Sequence, residues 1–208
     1  TGIGLTHLPV LYTYGGVNQE ALVAGQLRFS NDLDRFQDLM AECRSGLALL
    51  DTDANIGIAP HSLRAVPPED LQRVVIENPT GPVHIHISEQ LKEVADVKRK
   101  LGQRPVAWLL ENLPVDQRWC LIHATHMTSE ETAAMAQSGA VAGLCPITES
   151  NLGDGIFNGR DYLHSQGVFG IGSDSNIRIS LTEELRTLEY SQRLRDQERN
   201  VLVRGEGS

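Results

Sequence analysis

No stretch of this sequence stays apolar long enough to cross a membrane; the longest apolar runs have the length of strands. Basic residues are in the minority. Eighteen Lys and Arg against 27 Asp and Glu leave a net charge of −9, which argues against the basic face that non-specific nucleic-acid binding needs. That balance still leaves room for a locally basic pocket around an anionic small molecule. Cysteine is scarce. Cys43, Cys120 and Cys145 are odd in number and lack CxxC spacing, so they read as reduced thiols of a cytoplasmic protein. Also missing are GxGxxG and GxxxxGK[ST] after any strand-like run, so nucleotide-binding α/β folds lose weight. What remains, 40% hydrophobic and 22% charged over 208 residues, suits one large α/β domain or part of a bigger one.

The most informative stretch is Val83-His84-Ile85-His86-Ile87-Ser88-Glu89. Apolar and polar residues alternate up to Ser88, which is strand periodicity, and then Leu91, Val94, Val97 and Leu101 fall on one helical face. A strand that delivers a histidine and, three residues on, a glutamate sets two reactive groups at its C-terminal end, where parallel α/β proteins keep their chemistry.

The rest of the chain repeats this strand-then-helix pattern. Strands are expected over Ile3–Tyr12, Asn55–Pro60, Trp119–His123, Val141–Cys145 and Val168–Ile171. A long loop runs from Thr13 to about Ser30. Helices are expected from about Asp34 to Leu49, with Phe36, Leu39, Met40 and Cys43 inward; from Pro67 and Pro68 to Ile76; and from Pro105 to Leu110. Thr128 and Glu131 form a capping box for a helix to Ser138. A short helical stretch lies near Arg160 to Ser165, and a long one spans Leu181 to Asn200 with Leu181, Leu185, Leu188 and Leu194 inward. His7 reads as a core histidine, His164 as a solvated one and His84 as structural.

Strict alternation means a parallel sheet with right-handed crossovers. An open doubly wound sheet and a (β/α)8 barrel both fit. Polar residues close almost every strand (His61, His86, His123, Thr148 and Asp174), and only a barrel gathers all its strand ends at one mouth, so the barrel is favoured. His86 and Asp174 are compatible with a divalent metal, and Glu89 with His123 or, less well placed, His126 are an acid and base for protons around water. Metal help is useful because zinc brings the pKa of water towards 7.

HIHISEQ, the histidine of LIHATH, CPITESNLGDGIF and GIGSDSN together resemble the amidohydrolase superfamily of metal-dependent (β/α)8 hydrolases. Within it, APHSLRAV and CPITESNLGDGIF resemble the formimidoylglutamate deiminases of histidine degradation, and the likeness runs from about Gly2 to Leu194. The resemblance implies His86 as a zinc ligand of the fifth barrel strand, Glu89 as proton shuttle, and His123 as the sixth-strand histidine that helps activate water. It further implies Asp174 as the zinc-ligating aspartate of the eighth strand, and His61 with Arg64 as binders of the glutamate part of the substrate. The expected fold is thus α/β, a partial (β/α)8 TIM-type barrel holding strands three to eight.

One departure matters. The superfamily's first strand supplies two zinc ligands from an HxH pair, and no stretch here can serve, because His84-Ile85-His86 fits the fifth strand. The expectation is that residues 1–202 are an excised part of the catalytic barrel, without its N-terminal strands and small β domain, and that 203–208 are an appended tail. Alone it should hold zinc weakly and be almost inactive. Its expected partner is a small anionic substrate, with neither nucleic acid nor membrane, and a homodimer is compatible with the sequence. A ring deaminase or chlorohydrolase of the same superfamily, or a non-catalytic piece, are the alternatives. Glu149 and Asp154 read equally as pocket residues or solvated loop charges, and Arg178 is a weaker candidate for a second carboxylate contact.

Overall fold

The computed structural model describes residues 3–50 and 53–203; the expected tail lies, from residue 204 on, outside them. The chain forms two compact units, 1–85 and 86–208.

In the first unit, β1 (Leu5–His7) and β2 (Val10–Leu11) precede a 3-10 turn at Leu27–Phe29, α1 (Leu33–Leu47), β3 (Ala54–Ile56), β4 (Ala59–Pro60), α2 (Pro68–Glu77) and the start of β5 (Val83–Ile87). All pairings are parallel. β1 lies on β3 with His7 opposite Ile56, β2 lies on β4 with Leu11 opposite Pro60, and Ile58 bridges to Val83. Each expected strand is broken into two short ones. The first breaks at Pro9, which has no N–H to give a ladder. The second breaks at Gly57, where an added Cβ would lie 2.2 Å from the Pro82 carbonyl oxygen, so only glycine permits that approach. Leu11, Phe36, Met40, Ile58, Leu71 and Val74 make the core. Of the face expected on α1, Leu39 and Cys43 are partly exposed while Leu33 joins the interior. His7 is a correction: all three residues of β1 are exposed, and it is no core histidine.

The second unit continues with α3 (Leu91–Leu101), α4 (Pro105–Asn112), β6 (Trp119–His123), α5 (Ser129–Ser138), β7 (Val141–Leu144), α6 (Pro146–Leu152), α7 (Gly159–His164), β8 (Val168–Ile171) and α8 (Leu181–Asp196). The sheet order β5-β6-β7-β8 follows the chain. β6, β7 and β8 are in parallel register, Leu121 opposite Ala142 and Ala142 opposite Phe169. This is the alternation expected. The capping box on α5 is present in both directions, Thr128 Oγ1 accepting from Glu131 N and Glu131 Oε2 from Thr128 N.

One stretch without an expected element becomes a helix here, and one local expectation fails. CPITESN forms the helix α6, opened by Pro146 at its first position, where a missing N–H costs nothing. And α8 does not bury a leucine stripe. Leu181, Leu185 and Leu194 are exposed, and the buried face is Glu184, Leu188 and Gln192, spaced four apart. The polar pair is tolerated because it is bonded: Glu184 Oε2 accepts from Ile147 N, and Gln192 Nε2 donates to Phe157 O. Among the described residues no helix is long and apolar enough to cross a membrane.

Candidate active site

β5 sets Val83, Ile85 and Ile87 fully inside and turns His84 and His86, both half-buried, to its other face. The strand is cut off at Ser88, whose φ of 51° is left-handed. Glu93, 2% exposed, accepts from Ser88 N through Oε1 and from Glu89 N through Oε2. A carboxylate from the first turn of α3 thereby fixes the backbone that carries Glu89.

β6 ends at His123, 1% exposed, with φ of 68°, followed by Ala124 at 47°. β8 runs out to Asp174, with φ of 51°. Non-glycine residues avoid this region at a cost of order 1 kcal/mol each and hold it only where surroundings enforce it. The enforcing bonds are visible. Ala124 N donates to Ile87 O, His126 N to Ser88 O, and Gly172 N to Leu144 O. Thr148 Oγ1 and Asn176 Nδ2 both donate to Ser173 O, and Asn176 also reaches Glu184 Oε1.

These constraints gather the groups that the sequence singled out on three strand ends. His123 Nε2 lies 4.0 Å from Glu89 Oε1 and 3.6 Å from Asp174 Oδ2. The His86 ring stands 5.6 Å from the His123 ring, centroid to centroid. His61 and Arg64 belong to the first unit, just beyond β4, where His61 Nδ1 is 2.9 Å from Ser62 Oγ and its ring meets Tyr12 edge-on at 4.5 Å. His126 is occupied otherwise, its Nε2 bonded to Asp154 O at 2.6 Å. His164 is exposed, as expected.

Sequence reading missed Cys145 as a neighbour of the site and left Glu149 and Asp154 undecided between pocket and loop. Glu149, 4% exposed, places Oε1 3.2 Å from His123 Nδ1. Cys145 contributes to a group in which one donor atom each of His123, Cys145 and Asp174 lies within 4.8 Å of the others. Asp154, 7% exposed, accepts from Gln90 Nε2 through Oδ1, while its Oδ2 is buried with no hydrogen-bond partner. CPITESNLGDGIF contains all three, yet without periodicity to say which of its side chains turn inward.

Charge is distributed accordingly. Burial disfavours an imidazolium at His123, but the Glu149 hydrogen bond and the charges of Glu89, Glu149 and Asp174 outweigh it and raise the pKa. Burial, with the nearby carboxylates, pushes the Cys145 thiol up to about 12. Burial also raises Asp154. Ligands at 2.0–2.3 Å from a zinc ion lie roughly 3–4 Å apart, a spacing that His123 Nε2 and Asp174 Oδ2, 3.6 Å apart, match. Imidazole and carboxylate are donors of the kind a divalent cation takes, and both are groups that can carry protons.

Comparison with known proteins gives the family. The chain is 52% identical over 98% of its length to the formimidoylglutamate deiminase of Pseudomonas aeruginosa, of which it covers 45%. The crystal structure of an amidohydrolase from Brucella melitensis superimposes with a TM-score of 0.95 at 55% identity, over all of this chain and 46% of that one. A zinc-bound adenosine deaminase from Xanthomonas campestris, 22% identical with a TM-score of 0.77 over 94% of this chain and 43% of its own, shares the fold. The chain thus spans about half the length of the relatives it matches, and its elements are those of a partial (β/α)8 barrel. With the model of the amidohydrolase family matching residues 21–204, the chain belongs to the amidohydrolase family.

Proposed function

We propose that these residues serve, within a complete barrel, a zinc-dependent hydrolytic deimination of N-formimino-L-glutamate to N-formyl-L-glutamate and ammonia. The observation that carries the reading is the meeting of Glu89, His123 and Asp174 around His123 Nε2. The reaction adds water to the formimino carbon and expels its imino nitrogen, so one proton must leave the water and others must reach the nitrogen. Three adjoining groups able to carry protons suit that traffic. His86 and Asp174 would hold the zinc, which acts as a Lewis acid and brings the pKa of water towards 7. His123 and Asp174 would take the proton of the attacking water, and Glu89 would deliver one to the departing nitrogen. His61 and Arg64 would bind the glutamate moiety, the guanidinium pairing with a carboxylate through two parallel hydrogen bonds. Identity to the Pseudomonas deiminase over almost the whole chain supports this substrate; matches to methylthioadenosine deaminases are 29–32% identical over shorter stretches.

The test is ammonia release from N-formimino-L-glutamate by the full-length enzyme and its Glu89→Gln variant. Turnover should fall by about 100-fold or more, the scale of a lost general acid–base. Near-wild-type turnover by the variant removes Glu89 from the mechanism. Preference for a purine or triazine substrate replaces the reading with a ring hydrolase.

A further inference from the structure

We propose that Glu149 is the positioning residue for His123, fixing which ring nitrogen carries a proton and which one works on the substrate. The consequence for turnover rests on the function proposed above; the tautomer does not. His123 is buried and its two nitrogens face different partners: Nδ1 meets Glu149 Oε1 at 3.2 Å, and Nε2 faces Glu89 and Asp174. A carboxylate oxygen accepts and does not donate, so Nδ1 is the protonated nitrogen in this pairing, and Nε2 is the atom turned towards the reacting groups.

Glu149 is itself held rigidly. Its Oε1 also accepts the Cys145 N–H at 2.9 Å, and its own N–H donates to Cys145 O at 2.9 Å. The oxygen that orients the imidazole is thus anchored to the main chain where β7 becomes α6. Ile147 N, bonded to Glu184 Oε2, ties the start of α6 to α8. A carboxylate fixed in this way orients an imidazole and raises its basicity.

A packing role alone makes a different prediction, and two variants separate the possibilities. Glu149→Gln keeps a carbonyl oxygen for both bonds, and the Cys145 N–H holds that oxygen, not the amide NH2, towards the ring. Glu149→Leu removes the acceptor and keeps an apolar side chain of similar bulk. With 15N-histidine-labelled 208-residue protein, at a pH where the ring is neutral, NMR reads the protonation of each His123 nitrogen. The wild type and Glu149→Gln should show the proton on Nδ1; Glu149→Leu should show a mixture of tautomers. In the full-length zinc enzyme, Glu149→Leu should lower kcat by about 10- to 100-fold with KM changed less than about twofold, and Glu149→Gln should recover most of the loss. A folded Glu149→Leu that keeps the wild-type tautomer overturns the proposal, as does a Glu149→Gln that loses it. If the leucine variant does not fold, the glutamine variant decides by the same criterion. Absence of turnover of N-formimino-L-glutamate by the wild-type full-length enzyme counts against the substrate, and the tautomer result still decides the role of Glu149.

Discussion

At the residue scale, the chemistry depends on side chains whose environments divide their labour. His123 is enclosed by three carboxylates, which raise its pKa against the opposing effect of burial. Burial raises the pKa of Asp154, against the lowering effect of its hydrogen bond from Gln90. Arg64 allows a sharper test of specificity. If its guanidinium pairs with a substrate carboxylate in a closed pocket, Arg64→Met should cost about 3–5 kcal/mol, the cost of breaking a buried pair. That is roughly two to four decades in kcat/KM for N-formimino-L-glutamate, with zinc content unchanged. A formimino compound lacking the carboxylates should lose much less. Equal losses for both substrates would show that Arg64 supports the fold and does not read the substrate.

Elements contribute through their ends. Each strand that carries a reactive group ends on a left-handed residue or meets one within three positions, Ser88, His123 or Asp174, and a neighbouring helix or loop supplies bonds that make the turn tolerable. Glu93 does this for β5 and the Asn176–Glu184 pair for β8. The capping box of α5 was legible from Thr128 and Glu131 because it is a local pattern. Thr128→Ala should cost about 1 kcal/mol, lowering Tm by roughly 2–4 °C in a chain of this size; an unchanged melt would mean that the cap is redundant. On α8, Glu189 accepts from Arg193 Nε and from the backbone N–H groups of Val201 and Leu202. Burial opposes its charge, but these donors prevail and hold the carboxyl below its ordinary 4.5. A depressed folded pKa gives stability that is present above the unfolded value and is lost as pH falls through the folded one. In urea unfolding, wild type should exceed Glu189→Gln in stability at neutral pH, and the gap should close in acid. A gap independent of pH would refute the linkage. The leucine stripe expected on α8 misled because it counted only apolar residues; Glu184 and Gln192 occupy the inward face by satisfying backbone groups elsewhere in the chain.

For the molecule as a whole, metal content is the telling measurement. Among the residues proposed to hold zinc, His86 and Asp174 supply two ligands, and catalytic zinc sites use three or more from the protein. The purified 208-residue chain should therefore hold zinc weakly and lose it on dialysis against a mild chelator. Stoichiometric zinc that survives this treatment would contradict the expectation and direct attention to His123 and Cys145 as further ligands.

The sequence by itself determined the α/β alternation, the parallel sense of the sheet, and the strand ends that carry His86, His123 and Asp174. These follow from periodicities of two and of three to four residues and from polar residues that interrupt them, all readable within about ten positions. CPITESNLGDGIF marked the family and left its own side chains unassigned. Only the tertiary structure decided that Glu149 reaches the ring of His123 across 26 positions in sequence, that Glu184 and Gln192 face inward, and that His126 serves the backbone of Asp154. Hydrogen bonds between side chains far apart in the chain leave no periodic trace; they exist once the sheet has set which strand ends stand side by side.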